Sequence, residues 1–473
     1  MANQREEFLY EQLTADLRSS IQQGIYQLNE RLPSLRRTSE QHAVSMATTI
    51  LAYQQLEQEG LIESRPKSGY YVCPVIREQA KEPDISQPRF SPTSVNVGHL
   101  AMSLVHESRQ TGLIKLGAAV PEPDLLPLGT LSRTLAGIAR RKHHAPANYE
   151  QAQGNIDLRR QIARLMRDSG VRCHANDIII TNGCLEALGL ALRAVAHIGD
   201  TIAIESPTYF GVLQVIESLG MKVIEIPTHA SKGIEPTALQ RAIENSKISA
   251  CVLMPTFNNP LGSTMPEENK KLIVKMLSKN NIPLIEDDVY GALSYEPRRP
   301  KAAKAYDENG GVLYCSSFSK VISPGLRIGW IIAGKYLEQV TYQKFLDNIS
   351  TAIHPQLTMA EFLEKDAYRR CTRHSARIYR QRMDLLRHWV SEAFPEGTLI
   401  TNPKGGFLLW VELPKKYNSL DLYRRAMERK IAITPGILFS AQGQYKHHIR
   451  LSCGAVESDQ ARKSIKTLAK LLV

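Results

Sequence analysis

Three things are scarce in this chain. No apolar run approaches the roughly 20 residues that a membrane-spanning helix needs, so a membrane protein is not expected. The seven cysteines (Cys73, Cys173, Cys184, Cys251, Cys315, Cys371 and Cys453) are scattered, odd in number and contain no CxxC pair. That excludes a disulfide framework and a zinc site, and points to a reducing cytoplasm. The opening MANQREEFLYEQ is polar and acidic, which excludes a secretory signal. Acids are also outnumbered: 59 Lys+Arg stand against 47 Asp+Glu, a formal net charge of +12. Such a surplus invites a nucleic-acid reading. Yet residues 1–73 hold seven basic and nine acidic side chains, so the excess lies elsewhere. It sits in RRKHH (140–144), EPRRPKAAK (296–304) and YRRCTRHSARIYRQR (368–382), which are either solvated helix faces or a path for DNA.

What is present begins with a small head. The chain's 473 residues suggest about three units. In FLYEQLTADLRSSIQQGIY, Leu9, Leu13, Leu17 and Ile21 recur every four residues and predict one helix, closed by Gly24. A second short helix is expected from Pro33, with Arg36 and Arg37 at its N-terminal end. A third follows in SMATTILAYQQLEQEG, capped by Ser45, with Ile50, Leu51 and Leu56 inward and Gly60 as the stop. LIESRPKSGYYV predicts two short strands around a turn at Pro66–Gly69. Helix, helix, helix, hairpin is the order of a winged helix-turn-helix, whose third helix enters the major groove. The same order would also serve a docking or dimerisation module. Arg31, Arg36, Arg37, Arg65 and Lys67 fall where phosphates would lie, which favours DNA.

The head resembles the GntR family through RLPSLR, VSMATTILAYQQLEQEGLI and RPKSGYYV. The resemblance implies DNA contact by Arg36, by Ser45, Thr48 and Thr49 on the recognition helix, and by Arg65 and Gly69 in the wing. Many relatives carry an arginine where this chain has Met46, a side chain that cannot donate to a base edge.

Residues 74–95 are proline-rich and read as an extended, semi-stiff linker between a head at 1–73 and a body at 96–473. In the body, helical patterns alternate with apolar runs: DIIITNG, TIAIESP, KVIEIP, SACVLMP, IPLIEDDVY, VLYCSSFSK and RIGWIIAG. This predicts an α/β domain with a mainly parallel central sheet. Ligands of such sheets bind beyond the carboxyl ends of the strands. The polar clusters TNG, ESPTY, PTFNNP, EDD and SSFSK sit there.

Each cluster alone is weak; together they suit one chemistry. Gly183 before a helix offers N–H groups to a phosphate. Asn259 sits in a proline-stiffened loop. A carboxylate at the buried end of IEDD needs a positive partner; two acids could bind a metal, but no third ligand lies nearby. Lys320 stands among serines with Arg327 one loop away. A phosphate site, a buried carboxylate, a fixed Asn and a reactive lysine point to pyridoxal 5'-phosphate (PLP), held through a Schiff-base lysine.

The body is similar to the fold-type-I aminotransferase family over roughly residues 100–473. The resemblance implies that Lys320 is the Schiff-base lysine, Asp287 faces the pyridine nitrogen, and Tyr290 and Asn259 face the ring hydroxyl. Tyr209 would stack on the ring. Gly183, Cys184, Ser317, Ser319 and Arg327 would bind the phosphate. Tyr149 would reach the neighbouring subunit's phosphate, and Arg450 would grip a substrate or effector carboxylate as a fork.

Head and body together resemble the MocR subfamily. That implies a cytoplasmic homodimeric regulator that binds a double-stranded operator, with one chain's head packing on the other's body as is common there. Three readings stand: a regulator whose PLP site senses an amine, an amino acid or PLP; a working aminotransferase whose head only dimerises; and a regulator with a cofactor-free body. The intact set of Lys320, Asp287, Tyr290, Asn259, Arg327 and Arg450 argues against the last, and Arg36 with its basic wing against the second.

Overall fold

In the computed structural model of the protein, residues 9–27, 30–65, 68–73, 81–108, 110–365, 367–454 and 458–472 are described. The chain divides into two units, Met1–Ala80 with Asp384–Glu392, and Lys81–Met383 with Ala393–Val473. In the first, helix α1 (Leu9–Gln22) forms because Leu13, Leu17 and Ile21 share one stripe and bury together. Helix α2 (Leu35–Gln41) starts two residues later than Pro33, because Ser34 accepts from Arg37 N and sets the cap. Ser45 caps α3 (Met46–Gln58) likewise, accepting from Thr48 N at 3.1 Å. Strands β1 (Ile62–Arg65) and β2 (Gly69–Val72) pair antiparallel, with Arg65 opposite Gly69. The wing-turn positions Pro66 and Lys67 lie outside the described residues.

The head's core joins Leu13, Leu17, Leu32, Tyr53, Leu56 and Val72. The Tyr53 hydroxyl, at the centre, lies 2.8 Å from both Thr38 Oγ1 and Pro33 O. Two expectations for α3 are overturned. Ile50 and Leu51 are not inward but 37% and 49% exposed, whereas Thr49 is fully buried. The cause is helical phase. The inward face runs Thr49, Ala52, Tyr53, Leu56, and positions 50 and 51 fall to the side of it.

The second unit begins inside the proposed linker. Residues 74–80 lie outside the described residues. From Lys81 the chain is fastened to the body rather than spanning freely. Lys81 O accepts from Ile400 N, and Arg89 exchanges two 2.9 Å hydrogen bonds with the Gln442 side chain. Strand β3 (Thr93–Ser94) pairs antiparallel with Lys222 and Val223 at the sheet edge.

All seven apolar runs are strands of one sheet: β4 (Ile178–Thr181), β5 (Thr201–Ser206), β6 (Lys222–His229), β8 (Ala250–Leu253), β9 (Leu284–Asp287), β10 (Val312–Ser317) and β11 (Gly329–Ile332); β7 (Gly233–Ile234) pairs with β6. The order is β3-β6-β5-β8-β9-β10-β11-β4. Pairings β5–β6, β5–β8, β8–β9 and β9–β10 are parallel, and β11 runs antiparallel to both neighbours. Every residue of β5, β8, β9 and β10 is buried, as two covered faces demand. A smaller antiparallel sheet, β12 (Leu399–Ile400), β13 (Leu408–Glu412), β14 (Thr434–Pro435) and β15 (His448–Ser452), has the order β12-β13-β15-β14 and carries Arg450.

Leu56 is fully buried in the head core. Leu56→Ala should therefore cost about 2–5 kcal/mol of head stability. Hydrogen exchange on the full chain checks this: protection should fall across residues 46–58 and stay unchanged in β9.

Candidate cofactor cleft and DNA-binding face

The carboxyl ends of β4, β9 and β10 bring the expected residues together. Gly183 follows β4 at φ +95° and precedes the helix Cys184–Val195. A Cβ there would press on the tip of the Arg327 side chain, and the backbone conformation is one that glycine adopts without strain. Arg327, itself at φ +55°, donates to Asn182 O at 2.8 Å and to Ser319 Oγ at 3.4 Å. Ser319 N in turn donates to Ser317 Oγ at 3.4 Å. The backbone at Gly183, both serines and Arg327 thus converge on one cradle of donors.

Asp287 ends β9 and is 3% exposed. Its carboxylate accepts from Cys184 Sγ at 3.5 Å. Burial pushes its pKa up to about 7, partly countered by that contact. Asp288 is no competitor for the same role, because its side chain is engaged elsewhere, by Arg299 and by the Tyr314 hydroxyl at 2.7 Å. Lys320 Nζ donates to Ala119 O at 2.8 Å. Burial, reinforced by Arg450, lowers its pKa to about 8 against the opposing pull of Asp287.

Arg450 reaches the cleft from β15 and is 3% exposed. It donates to Asn259 Oδ1 and to Gly117 O, both at 2.8 Å, and to Thr434 Oγ1 at 3.3 Å. The Phe439 ring lies 5.1 Å from its guanidinium carbon. Burial lowers its pKa. Tyr290 packs edge-on to Phe407 and is 1% exposed, and Tyr209 precedes the helix Phe210–Ser218. Burial raises both tyrosine hydroxyls. Tyr149 stands apart from this group, 82% exposed.

These residues fit PLP. Among the described residues Tyr290 Oη and Arg450 Nε are buried polar atoms without a partner, so the cleft has a donor or acceptor to offer. The phosphate cradle, a carboxylate at the buried strand end and an amine with a lowered pKa complete the set. The supports supplied by Gly117, Ala119 and Thr434 were missed in the sequence. Their only signal there is the glycine of KLGAA: a Cβ at Gly117 would strike the backbone at Ile433 and Thr434. Among the described residues no His/Cys/Asp/Glu group could hold a metal ion.

On the head, Arg36 is solvent-facing, its side chain 83% exposed and 3.1 Å from Glu40. Thr48 shares a 2.8 Å hydrogen bond with Ser45 at the exposed start of α3. Thr49 does not join that face: it is buried, and its hydroxyl donates to Ser45 O at 3.1 Å. Arg65 lies over the Tyr71 ring at 4.0 Å and pairs with Glu63 at 2.7 Å. Gly69, at φ +111°, brings the β2 backbone against Arg31 Nε, where a Cβ would lie 3.0 Å away.

Residues 114–468 match the family model for aminotransferase class I and II, and residues 9–72 that for bacterial regulatory proteins of the gntR family. The chain is similar to two uncharacterized HTH-type transcriptional regulators of Escherichia coli (strain K12). YjiR is 37% identical over 461 residues and YdcR 35% over 466, each covering 98% of both chains. It is also similar to the crystal structure of Pyrococcus horikoshii kynurenine aminotransferase in complex with PMP. That match has 28% identity and a TM-score of 0.74, over 79% of this chain and 94% of that one. Among the described residues no helix is long and apolar enough to cross a membrane.

The lowered Lys320 pKa sets a pH dependence. An amine attacks a carbonyl only when neutral, so with a pKa of about 8 the reactive fraction rises about tenfold from pH 7 to pH 9. Stripped protein given fresh PLP should gain its visible absorbance band about tenfold faster at pH 9. An equal rate at the two pH values would contradict this.

Proposed function

The chain belongs to the MocR subfamily of GntR-type transcriptional regulators, a DNA-binding head joined to an aminotransferase-type body of a PLP-dependent family, and from that premise we propose that the body's cleft senses a small amine or amino acid and alters the head's hold on DNA. One observation carries the reading. In a chain with such a head, a lysine amine with a lowered pKa shares a cleft with Arg450, whose Nε has no partner.

Bound PLP supplies an aldehyde that condenses with primary amines and an electron-withdrawing ring. Lys320 would hold it covalently, Asp287 at the pyridine nitrogen, Tyr290 and Asn259 at the ring hydroxyl and Tyr209 at the ring face. The backbone N–H groups of Gly183 and Cys184, with Ser317, Ser319 and Arg327, would hold its phosphate. Arg450 would receive the effector's carboxylate. Tyr149 projects into solvent, as a residue reaching a neighbouring subunit's phosphate must, which supports a homodimer. Lys320 and Arg450 together also suit transamination of an amino acid, so turnover is the second reading.

On the head, Arg36, Ser45, Thr48 and the wing around Arg65 and Gly69 would meet the operator. Thr49 is left out because it is buried. With operators selected from random fragments by the purified protein, Arg36→Ala should weaken binding about tenfold and lower the salt slope by about one. Unchanged affinity would remove the head assignment.

Arg450→Met should leave the visible cofactor band in place and abolish any shift in operator affinity caused by amino acids. If an amino acid still shifts the variant's DNA affinity as it does the wild type's, Arg450 is not the carboxylate receptor.

A further inference from the structure

Successive residues of a strand face opposite sides of a sheet, and the pair Asp287–Asp288 is split in this way. Asp287 meets Cys184 on the cleft side. Asp288 turns to the other face, with Tyr314, Ser316 and Trp330. Ser316 lies opposite Trp330 in the β10–β11 register and two residues along from Tyr314, so these three share a face. Ser316 Oγ donates to Asp288 O at 2.8 Å. On this face lies a cavity of about 500 Å³, the size of an ordinary small-molecule site. Of the residues assigned above to the cofactor, Ser317 lines it, whereas Lys320, Asp287, Tyr290, Asn259 and Arg450 do not.

Two of its lining residues carry a buried polar atom without a partner among the described residues. Trp330 is 4% exposed and its Nε1 has no partner. Asp288 is 2% exposed; Oδ2 accepts from Arg299 and from the Tyr314 hydroxyl, but Oδ1 has no partner. One is a donor and the other an acceptor, a pair of needs that hydroxyl groups can meet. The rim is cationic. Arg167, Arg298 and Arg373 line it, are exposed, and form no ion pair among the described residues. Two of the lining acids are already engaged, Asp168 with Arg369 at 2.9 Å and Asp288 with Arg299, which leaves Glu296.

We propose that this cavity is a second ligand site, for a small hydroxylated anion whose acidic group lies among the rim arginines and whose hydroxyl end meets Trp330 and Asp288. A phosphate monoester and a hydroxy acid share that chemistry. The site shares only Ser317 with the residues assigned to the cofactor, and the proposal does not depend on what the cleft senses.

The test uses the full-length, cofactor-loaded chain, so that any phosphate site in the cleft is already filled. Glycerol 3-phosphate and malate are titrated separately by calorimetry. Saturable binding of one probe per chain is expected, and the tighter probe identifies the acidic group. Arg298→Ala with Arg373→Ala should weaken it at least tenfold. Trp330→Phe, which keeps the ring and removes the N–H, should weaken it several-fold with an unchanged cofactor band. Binding of neither probe, as when water alone fills the cavity, or binding that survives the double substitution, overturns the proposal.

Discussion

The cost of burying charge at the carboxyl rim of the central sheet governs the body. The strands beneath are buried throughout, so an ionisable group in them or at their ends must find partners or shift its pKa. Asp287 is the last residue of β9, and Lys320 lies in the loop beyond β10. Burial acts on both and moves them in opposite directions, the carboxyl up to about 7 and the amine down to about 8. One physical cause thus prepares an acid that can share a proton and an amine that can lose one. Asp288, one residue on, resolves its own burial differently, with a guanidinium and a phenol. Asp287 has a thiol at 3.5 Å and the Val289 backbone N–H, neither of them a cation. A carboxylate left with such neutral partners suits a protonated ring nitrogen; one already paired with arginine does not.

Backbone strain marks the other half of the site. Arg327 is a non-glycine residue at φ +55°, and Gly183 beneath it is at φ +95°. Such conformations persist only where the surroundings hold them. Here the holding contacts run to Asn182 O and Ser319 Oγ. Lys344, with no exposed side-chain surface, pairs with Glu186 at 3.0 Å in the first turn of the helix that Gly183 opens. The cradle proposed for the phosphate is therefore held by the protein's own contacts, which favours tight anion binding.

Much of this was legible in the sequence, for identifiable reasons. Strands buried on both faces should read as unbroken apolar runs, and several of the seven did. A lysine among serines with an arginine one loop on stood out because no solvated surface needs that setting. What could not be read depends on phase and on distant partners. The stretch MATTILAYQQL has an apolar or small residue at almost every position, so its inward face was ambiguous, and Thr49 rather than Ile50 and Leu51 turned in. The linker looked free because prolines suppress periodicity, yet its second half is pinned by Ile400 and Gln442, more than 300 residues away. Gly117 and Ala119 act through backbone carbonyls, which leave no trace in side-chain chemistry.

Arg450 shows how such hidden partners change function. The sequence suggests a guanidinium waiting as an open fork. In the structure three of its five N–H groups are directed at Asn259 Oδ1, Gly117 O and Thr434 Oγ1. The carbonyl and the amide fix the plane of the group, and Phe439 lies against it at 5.1 Å. Rotamer entropy that a free arginine would lose on binding is therefore already spent. The Nε, without a partner among the described residues, would meet an incoming carboxylate in a direction set by the protein rather than by the ligand. Asn259 holds Arg450 and is also the candidate contact for the cofactor's ring hydroxyl. One amide would thus couple the two halves of the site, and a carboxylate arriving at Arg450 would be felt at the ring. That is the coupling a sensor requires, and it needs no chemical turnover.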